Sequence, residues 1–240
     1  MSTAIHFEER IRKIRNQLHP IVPFTPQTDK LLALDFTHHN SRLTQEIVED
    51  TSLFTHYIQA QLSQSGCRYG IGGYNEHRTI YSRSQLFENI ADEPRRLHLG
   101  IDIWGNAGTP VFTPLGGVVH SFAFNEAFGD YGATIILLHQ TDTFLFHTLY
   151  GHLSLNDLGG LQEGKYISGG EVLAHFGKPA ENGHWPPHLH FQVIIDMQLH
   201  RGDYPGVCRF SEREKYLANC PDPDCMVQMM RYAVPALPVQ

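Results

Sequence analysis

Seven short apolar segments follow one another between residues 98 and 196, and they constrain the fold more than any other feature of the sequence. Gly, Asn, Asp and Pro separate these segments. Short strands at this density, bounded by turn-forming residues, are typical of an all-β core. The sequence therefore predicts a mainly β domain, which we place at residues 67–235.

The first 66 residues have a different pattern. Helical spacing of apolar residues predicts a helix over 5–18 and a second helix over 41–64. Ser41 is the expected N-cap of the second helix, and Gly66 is expected to end it. We therefore predict an N-terminal helical extension over residues 1–66 that covers one face of the sheet.

Charge and hydropathy limit the function classes. A formal net charge of −7 and the lack of a basic stripe argue against nucleic-acid binding. No apolar run reaches transmembrane length, which argues against an integral membrane segment. The N-terminus lacks a signal-peptide core, so we expect a cytoplasmic protein, with a periplasmic or secreted form as the alternative. The sequence indicates no protein partner and no oligomeric state.

Two strand segments carry polar side chains on alternate residues. In HLGIDI, His98 and Asp102 share one face of the strand, and Gly100 leaves the space between them open. In HLHFQV, His188 and His190 share a face with Gln192. Two histidines at successive same-face positions are poor core residues, because each ring has two nitrogen atoms that need partners.

These residue types suit a catalytic zinc site. Two histidines and one carboxylate are ligands that zinc prefers, and three protein ligands leave a fourth position for water or substrate. Zinc lowers the pKa of bound water to about 7. Hydrolysis of an amide also needs a base and a donor to the oxyanion, and the two other histidines, one in HLHFQV and one in TLYGHLS, can supply both groups. In TLYGHLS, alternation would place Tyr150 and His152 on one face.

Three segments carry a resemblance to a known family. HLGIDIWGNAGTPVFTPLGGVV is similar to the first motif of the lysostaphin-type (LytM-like, β-lytic) zinc metallopeptidases, LYGHLS to the middle motif, and PPHLHFQ to the closing motif. The order and spacing of the motifs also agree. The resemblance covers about residues 70–196 and implies a gapped antiparallel β-sheet with zinc in a groove. WPPHLHFQ and GDYPGV resemble most a subgroup that is fused to kinase-like and aminotransferase domains.

The resemblance implies a role for each motif residue. His98, Asp102 and His190 match the zinc ligands of the family. His152 and His188 match the pair that flanks the attacking water and the scissile carbonyl, as catalytic residues or as support for the ligands.

Three more residues are predicted to meet the substrate at the groove. Arg78 belongs to an upstream loop that edges the groove in the family. Trp185 lies in ENGHWPPHLH, which replaces the usual Ser- and Thr-rich lead into the last motif. Tyr150 is either a packing residue or a contact for the oxyanion.

The resemblance implies a zinc metalloendopeptidase that acts on peptidoglycan stem or cross-link peptides, or on soluble muropeptides. Two other functions stay open. One is a non-catalytic regulator that binds zinc or a partner without cleaving it; degenerate members of the family usually lose ligands, whereas this chain keeps all five motif residues. The other is a cytosolic hydrolase of small amides that is unrelated to the cell wall.

Overall fold

The computed structural model describes residues 3–88, 92–141 and 144–236 of the 240-residue chain. Within this part the chain forms five α-helices and thirteen strands. The helices are α1 (Thr3–Lys13), α2 (Gln45–Glu49), α3 (Thr51–Ser65), α4 (Arg213–Asn219) and α5 (Asp224–Val227). The strands are β1 (Leu31–Ala33), β2 (Tyr69–Gly72), β3 (Leu97–His98), β4 (Ile101–Trp104), β5 (Pro110–Phe112), β6 (Gly117–Asn125), β7 (Gly132–Gln140), β8 (Leu145–Leu153), β9 (Tyr166–Ile167), β10 (Val172–His175), β11 (His188–Ile194), β12 (Val207–Cys208) and β13 (Ala233–Val234).

One large sheet organises the molecule. Nine strands pair in the order β13-β1-β2-β4-β11-β8-β7-β6-β9, while β10 pairs with β5 and β12 pairs with β3. The long strands β6, β7, β8 and β11 are antiparallel neighbours, but β1 pairs in parallel with both β2 and β13. The predicted mainly β fold is confirmed, and the sheet is mixed because of β1.

The N-terminal segment contributes more than helices. Leu31 and Leu32 lie in β1, in register with Tyr69 and Gly70 of β2. Ile11 of α1 is fully buried in the same apolar cluster as the sheet residues. The boundary between residues 66 and 67 stays a prediction, but the two regions share one core.

Helices cover both faces of the sheet, so the expectation that they cover one face is wrong. Ile103 and Trp104 are adjacent in β4 and therefore point to opposite faces. Ile103 clusters with Ile11 of α1, whereas Trp104 clusters with Phe54 and Ile58 of α3.

The predicted second helix is two helices. Thr44 caps α2 by accepting a hydrogen bond from the Ile47 amide. The Asp50 carboxylate then accepts bonds from the amides at the start of α3, so the chain turns there. Ser41 is not a cap, but Gly66 ends α3 as predicted, in the left-handed conformation with φ 62°. None of the helices in the described residues is long and apolar enough to cross a membrane.

Candidate metal and catalytic site

The three predicted zinc ligands meet at the centre of the large sheet. Asp102 in β4 pairs in register with His190 in β11, and His98 ends β3 beside them. His190 Nδ1 lies 3.0 Å from Asp102 Oδ1 and 3.0 Å from His98 Nε2. The latter atom is 3.3 Å from Asp102 Oδ1. One ligand atom from each residue thus faces a common point, and all three side chains are buried.

Gly100 is required for this convergence. A Cβ atom at residue 100 would lie 2.5 Å from Cε1 of His190 and 2.6 Å from its Nε2. The space that the sequence predicts to be open between His98 and Asp102 is therefore occupied by the imidazole of the third ligand.

Hydrogen bonds on the far side of each ring fix the proton positions. His98 Nδ1 donates to the Gly73 carbonyl at 2.9 Å, and His190 Nε2 donates to Gln192 Oε1 at 3.0 Å. The amide nitrogen of Gln192 in turn donates to Pro205 O and contacts the sulfur of Cys220. Because both acceptors are oxygen atoms, the facing nitrogens of the two ligands carry lone pairs.

This donor set fits a divalent cation. Two nitrogen lone pairs and a carboxylate oxygen at about 3 Å repel one another unless a positive charge lies between them. Burial lowers the pKa of His98 to about 4. Burial alone would raise the pKa of Asp102, but interactions with His98 and Arg78 and two histidine hydrogen bonds hold it well below its usual range. His98 and Asp102 are therefore unprotonated at neutral pH.

Arg78 lies beneath this site. The sequence predicts a substrate contact for Arg78, but its side chain is fully buried and does not line the pocket above the ligands. Its Nη1 donates to Asp102 Oδ2, and its Nε donates to Glu76 Oε2 at 2.6 Å. The ion pair occupies one oxygen of Asp102 and leaves Oδ1 to face the histidines.

His152 and His188 lie side by side next to the ligands, with ring centroids 4.1 Å apart. His188 also stacks on Trp104, at 3.8 Å between centroids and an interplanar angle of 11°. His152 Nδ1 donates to Asn182 O and His188 Nδ1 donates to Pro186 O, both at 2.8 Å. Each ring therefore keeps an unprotonated Nε2.

The electrostatic environment keeps both of these rings neutral. Burial lowers the pKa of His188 to about 4. Burial and the neighbouring His188 lower the pKa of His152 well below its usual range. At neutral pH both Nε2 atoms are thus available to accept a proton or a hydrogen bond.

Tyr150 does not share a face with His152, so that expectation is wrong. His152 has a positive φ of 63°, which breaks the strand alternation and turns its ring toward the ligands. Tyr150 points to the opposite face, where it is fully buried and packs on Phe191 at 5.3 Å between centroids. This position is that of a packing residue.

A pocket opens above the site and is lined by Asp102, His152, His188 and His190, while His98 is not among its lining residues. Trp185 lines it and donates from Nε1 to Gly129 O at 3.1 Å, and its contact with the substrate stays a prediction. Tyr131 also lines it, and its ring lies 5.1 Å from that of His190. Sequence reasoning missed Tyr131 because a single tyrosine in a loop carries no pattern. The role of Gln192 could have been found, since Gln192 follows His188 and His190 at alternate positions.

The segment that carries these residues has known relatives. Residues 96–201 match peptidase family M23. The chain is 31% identical over 131 residues to the DD-carboxypeptidase/endopeptidase Mpg of Neisseria meningitidis serogroup B, a match that covers 53% of this chain and 28% of that protein. It is 31% identical over 126 residues to the L-Ala–D-Glu endopeptidase of Bacillus subtilis, covering 50% and 36% of the two chains.

The chain thus matches only about a third of the length of these relatives. Among solved structures, the catalytic domain of lysostaphin from Staphylococcus simulans is 18% identical with a TM-score of 0.39, and the match covers 68% of this chain and 96% of that one. The closer resemblance to the fused subgroup stays a prediction. The segment of this chain that matches peptidase family M23, residues 96–201, contains all five motif residues.

Proposed function

We propose that this protein is a zinc-dependent endopeptidase that hydrolyses peptide bonds in peptidoglycan stem or cross-link peptides, or in soluble muropeptides. The observation that carries the proposal is the proton arrangement of four buried histidines. Two of them direct lone pairs at one point beside Asp102 Oδ1, and two keep an unprotonated Nε2 next to that point. Such an arrangement provides metal ligands and acid–base groups in one pocket.

His98 Nε2, Asp102 Oδ1 and His190 Nδ1 would hold the metal. Zinc, when bound, supplies a Lewis acid that polarises a carbonyl and makes water more acidic. The Nε2 atom of His152 or His188 can accept a proton from the attacking water. The protonated ring is then an N–H donor, which can stabilise the oxyanion and return the proton to the leaving nitrogen.

The two relatives suggest which bonds to test first. Their names specify a DD-carboxypeptidase/endopeptidase and an L-Ala–D-Glu endopeptidase, and both names refer to bonds beside a D-amino acid. We propose that this chain also cleaves next to a D-amino acid. A non-catalytic zinc-binding role would not explain why two unprotonated Nε2 atoms lie in the pocket beside the ligands.

We further propose that soluble fragments are better substrates than intact wall. The five site residues are each at most 6% exposed, so the scissile bond must enter the pocket to reach them. Trp185 lines that pocket and is itself held by its bond to Gly129. A short peptide can enter such a pocket more readily than a strand tied into a mesh.

The test is to incubate the zinc-loaded protein with defined muropeptides and with purified sacculi, and to identify products by mass spectrometry. His188→Ala, checked for zinc content, is the control for contaminating hydrolases. Cleavage of muropeptides that the variant lacks would support the proposal. Hydrolysis of simple amides alone would favour the small-amide hydrolase, and zinc binding without any turnover would favour the regulator. A cytoplasmic location stays a proposal, and cell fractionation tests it.

A further inference from the structure

Charged groups are distributed unevenly around the pocket. Among the described residues that line it, the carboxylates are Asp102, Asp130 and Asp203, and the one arginine or lysine is Arg95. Asp102 is bound to the histidines and to Arg78. Asp130 and Asp203 would repel an anion, so Arg95 is the side chain in this lining that can attract one.

The Arg95 side chain is held in place without a direct ion pair to a carboxylate. Burial raises the pKa of Asp130, and the charge of Arg95 partly offsets that shift. Its guanidinium lies over the Phe87 ring, 5.3 Å from the centroid, and Nη2 donates to the Leu86 carbonyl. Its backbone N–H donates to Phe87 O at 2.9 Å, which fixes the start of the side chain. Among the described residues no carboxylate forms an ion pair with Arg95.

The contacts of Arg95 leave most of its donors available. A guanidinium has five N–H donors in a planar fork that matches a carboxylate, and only one of them is used by Leu86. Since the stacked ring and the carbonyl already restrict the side chain, little further ordering is needed when an anion binds.

We propose that Arg95 binds a free carboxylate of the peptide substrate and thereby selects peptides that carry one near the scissile bond. This inference rests on the proposed function. Arg95 lines the same pocket as His152, His188 and His190, so the carboxylate belongs to a residue at or next to the cleaved bond. It comes from the C-terminus of the peptide or from an acidic branch, and the two sources share the same chemistry.

The closing experiment compares pairs of soluble muropeptides that differ only in one group, a free carboxylate or its amide. One pair varies the C-terminus, and a second pair varies the branch. We expect the wild-type protein to prefer the free acid of one pair by about 10- to 100-fold in kcat/KM, the range for a hydrogen bond to a charged group. The difference should lie mainly in KM.

Arg95→Gln should remove this preference, and Arg95→Lys should keep part of it because the charge remains while the fork is lost. Zinc content should be unchanged in both. Arg231→Gln is the matched control, since Arg231 also stacks on an aromatic ring, 4.8 Å from the Tyr232 centroid, but is exposed and does not line the pocket. It should keep the wild-type preference.

Binding gives a readout that does not depend on turnover. Calorimetry with the His188→Ala variant, with and without zinc, should show tighter binding of the acid than of the amide, and the added Arg95→Gln change should remove the difference. The role of Arg95 would be refuted if the wild type cleaved acid and amide with equal kcat/KM and His188→Ala bound them with equal affinity. A preference for the acid that survives in Arg95→Gln would also refute it. If the wild-type protein cleaved neither peptide but the His188→Ala variant still bound the acid more tightly than the amide, the proposed endopeptidase activity would be refuted. The role of Arg95 in binding a carboxylate would then still be supported.

Discussion

Replacing Gly100 with alanine is expected to weaken metal binding strongly while the protein stays folded. The new Cβ would lie 2.5 Å from Cε1 of His190, whereas ordinary contact begins at 3.4 Å, so the ring must move by about 0.9 Å (3.4 − 2.5). The backbone oxygen of Phe191 would be 2.8 Å away, and it belongs to the same strand β11. Metal–ligand distances tolerate only about 0.2 Å. The displaced His190 would therefore be lost as a ligand.

The energetic cost to the fold should be smaller than the effect on the metal. Overpacking a core position costs about 1–3 kcal/mol, and a domain is stable by about 5–15 kcal/mol. We expect a lower melting temperature with cooperative unfolding retained. Zinc affinity should fall by more than the 10- to 100-fold that follows loss of a residue supporting a ligand. Elemental analysis after dialysis, together with a competition titration against a chelator, measures the effect.

Gly73→Ala is the matched control for this prediction. A Cβ at residue 73 meets no atom within 4 Å, and its carbonyl would still accept the His98 bond. The control should bind zinc as the wild type does. If Gly100→Ala retained one zinc with unchanged affinity, the assignment of His190 as a ligand would be refuted, or the sheet would have to open without cost.

Other substitutions separate metal binding, chemistry and stability. His190→Ala and Asp102→Ala should each lose zinc and all activity, and stoichiometric zinc in either variant would contradict the ligand set. His152→Ala and His188→Ala should keep zinc while turnover falls by about 10²- to 10⁴-fold. If His188→Ala lost zinc and His190→Ala kept it, the roles of the two histidines would be the reverse of those assigned. Burial lowers the pKa of His139 from 6.5 to about 4. Between pH 6.5 and pH 4, His139 is protonated in the unfolded chain but stays neutral in the folded protein. The free energy of unfolding is therefore unaffected by His139 above pH 6.5 and falls by up to about 3 kcal/mol as the pH approaches 4. Melting curves of His139→Gln should depend less on pH in this window, and an unchanged slope would refute the assignment.

The sequence predicts the site better than it predicts the N-terminal half. Strand alternation in HLGIDI predicts that His98 and Asp102 share a face, but the structure divides this segment between β3 and β4, which belong to different sheets. The two side chains still converge, because Gly100 leaves room for the His190 ring between them. The pairing of β4 with β11 puts HLGIDI in contact with HLHFQV. The motif order supplied that pairing, which periodicity alone does not.

Long-range pairing explains why β1 was missed. Only three residues, Leu31–Ala33, form this strand, and their partners lie in β2 and in β13 near the C-terminus. A three-residue apolar run is compatible with a loop, a helix or a strand, so its state is decided by tertiary pairing. Asp50 was missed for a similar reason: a polar residue in a helical pattern is normally an exposed position, and only the structure shows it capping a new helix.

His152 shows where a local rule fails for a functional reason. Alternation would turn its ring away from the ligands, and a positive φ in a non-glycine residue has a cost of about 1–3 kcal/mol. The surroundings offset this cost: the backbone N–H of His152 donates to Tyr131 O at 2.8 Å, its carbonyl accepts from Gly177 N at 2.9 Å, and its ring donates to Asn182 O. Three contacts from two loops thus hold one histidine in an unfavourable conformation beside His188. Packing alone gives no reason to keep such a conformation, since a regular strand residue would avoid the cost. The departure from alternation at His152 therefore supports a functional role for this residue more strongly than the motif match does by itself.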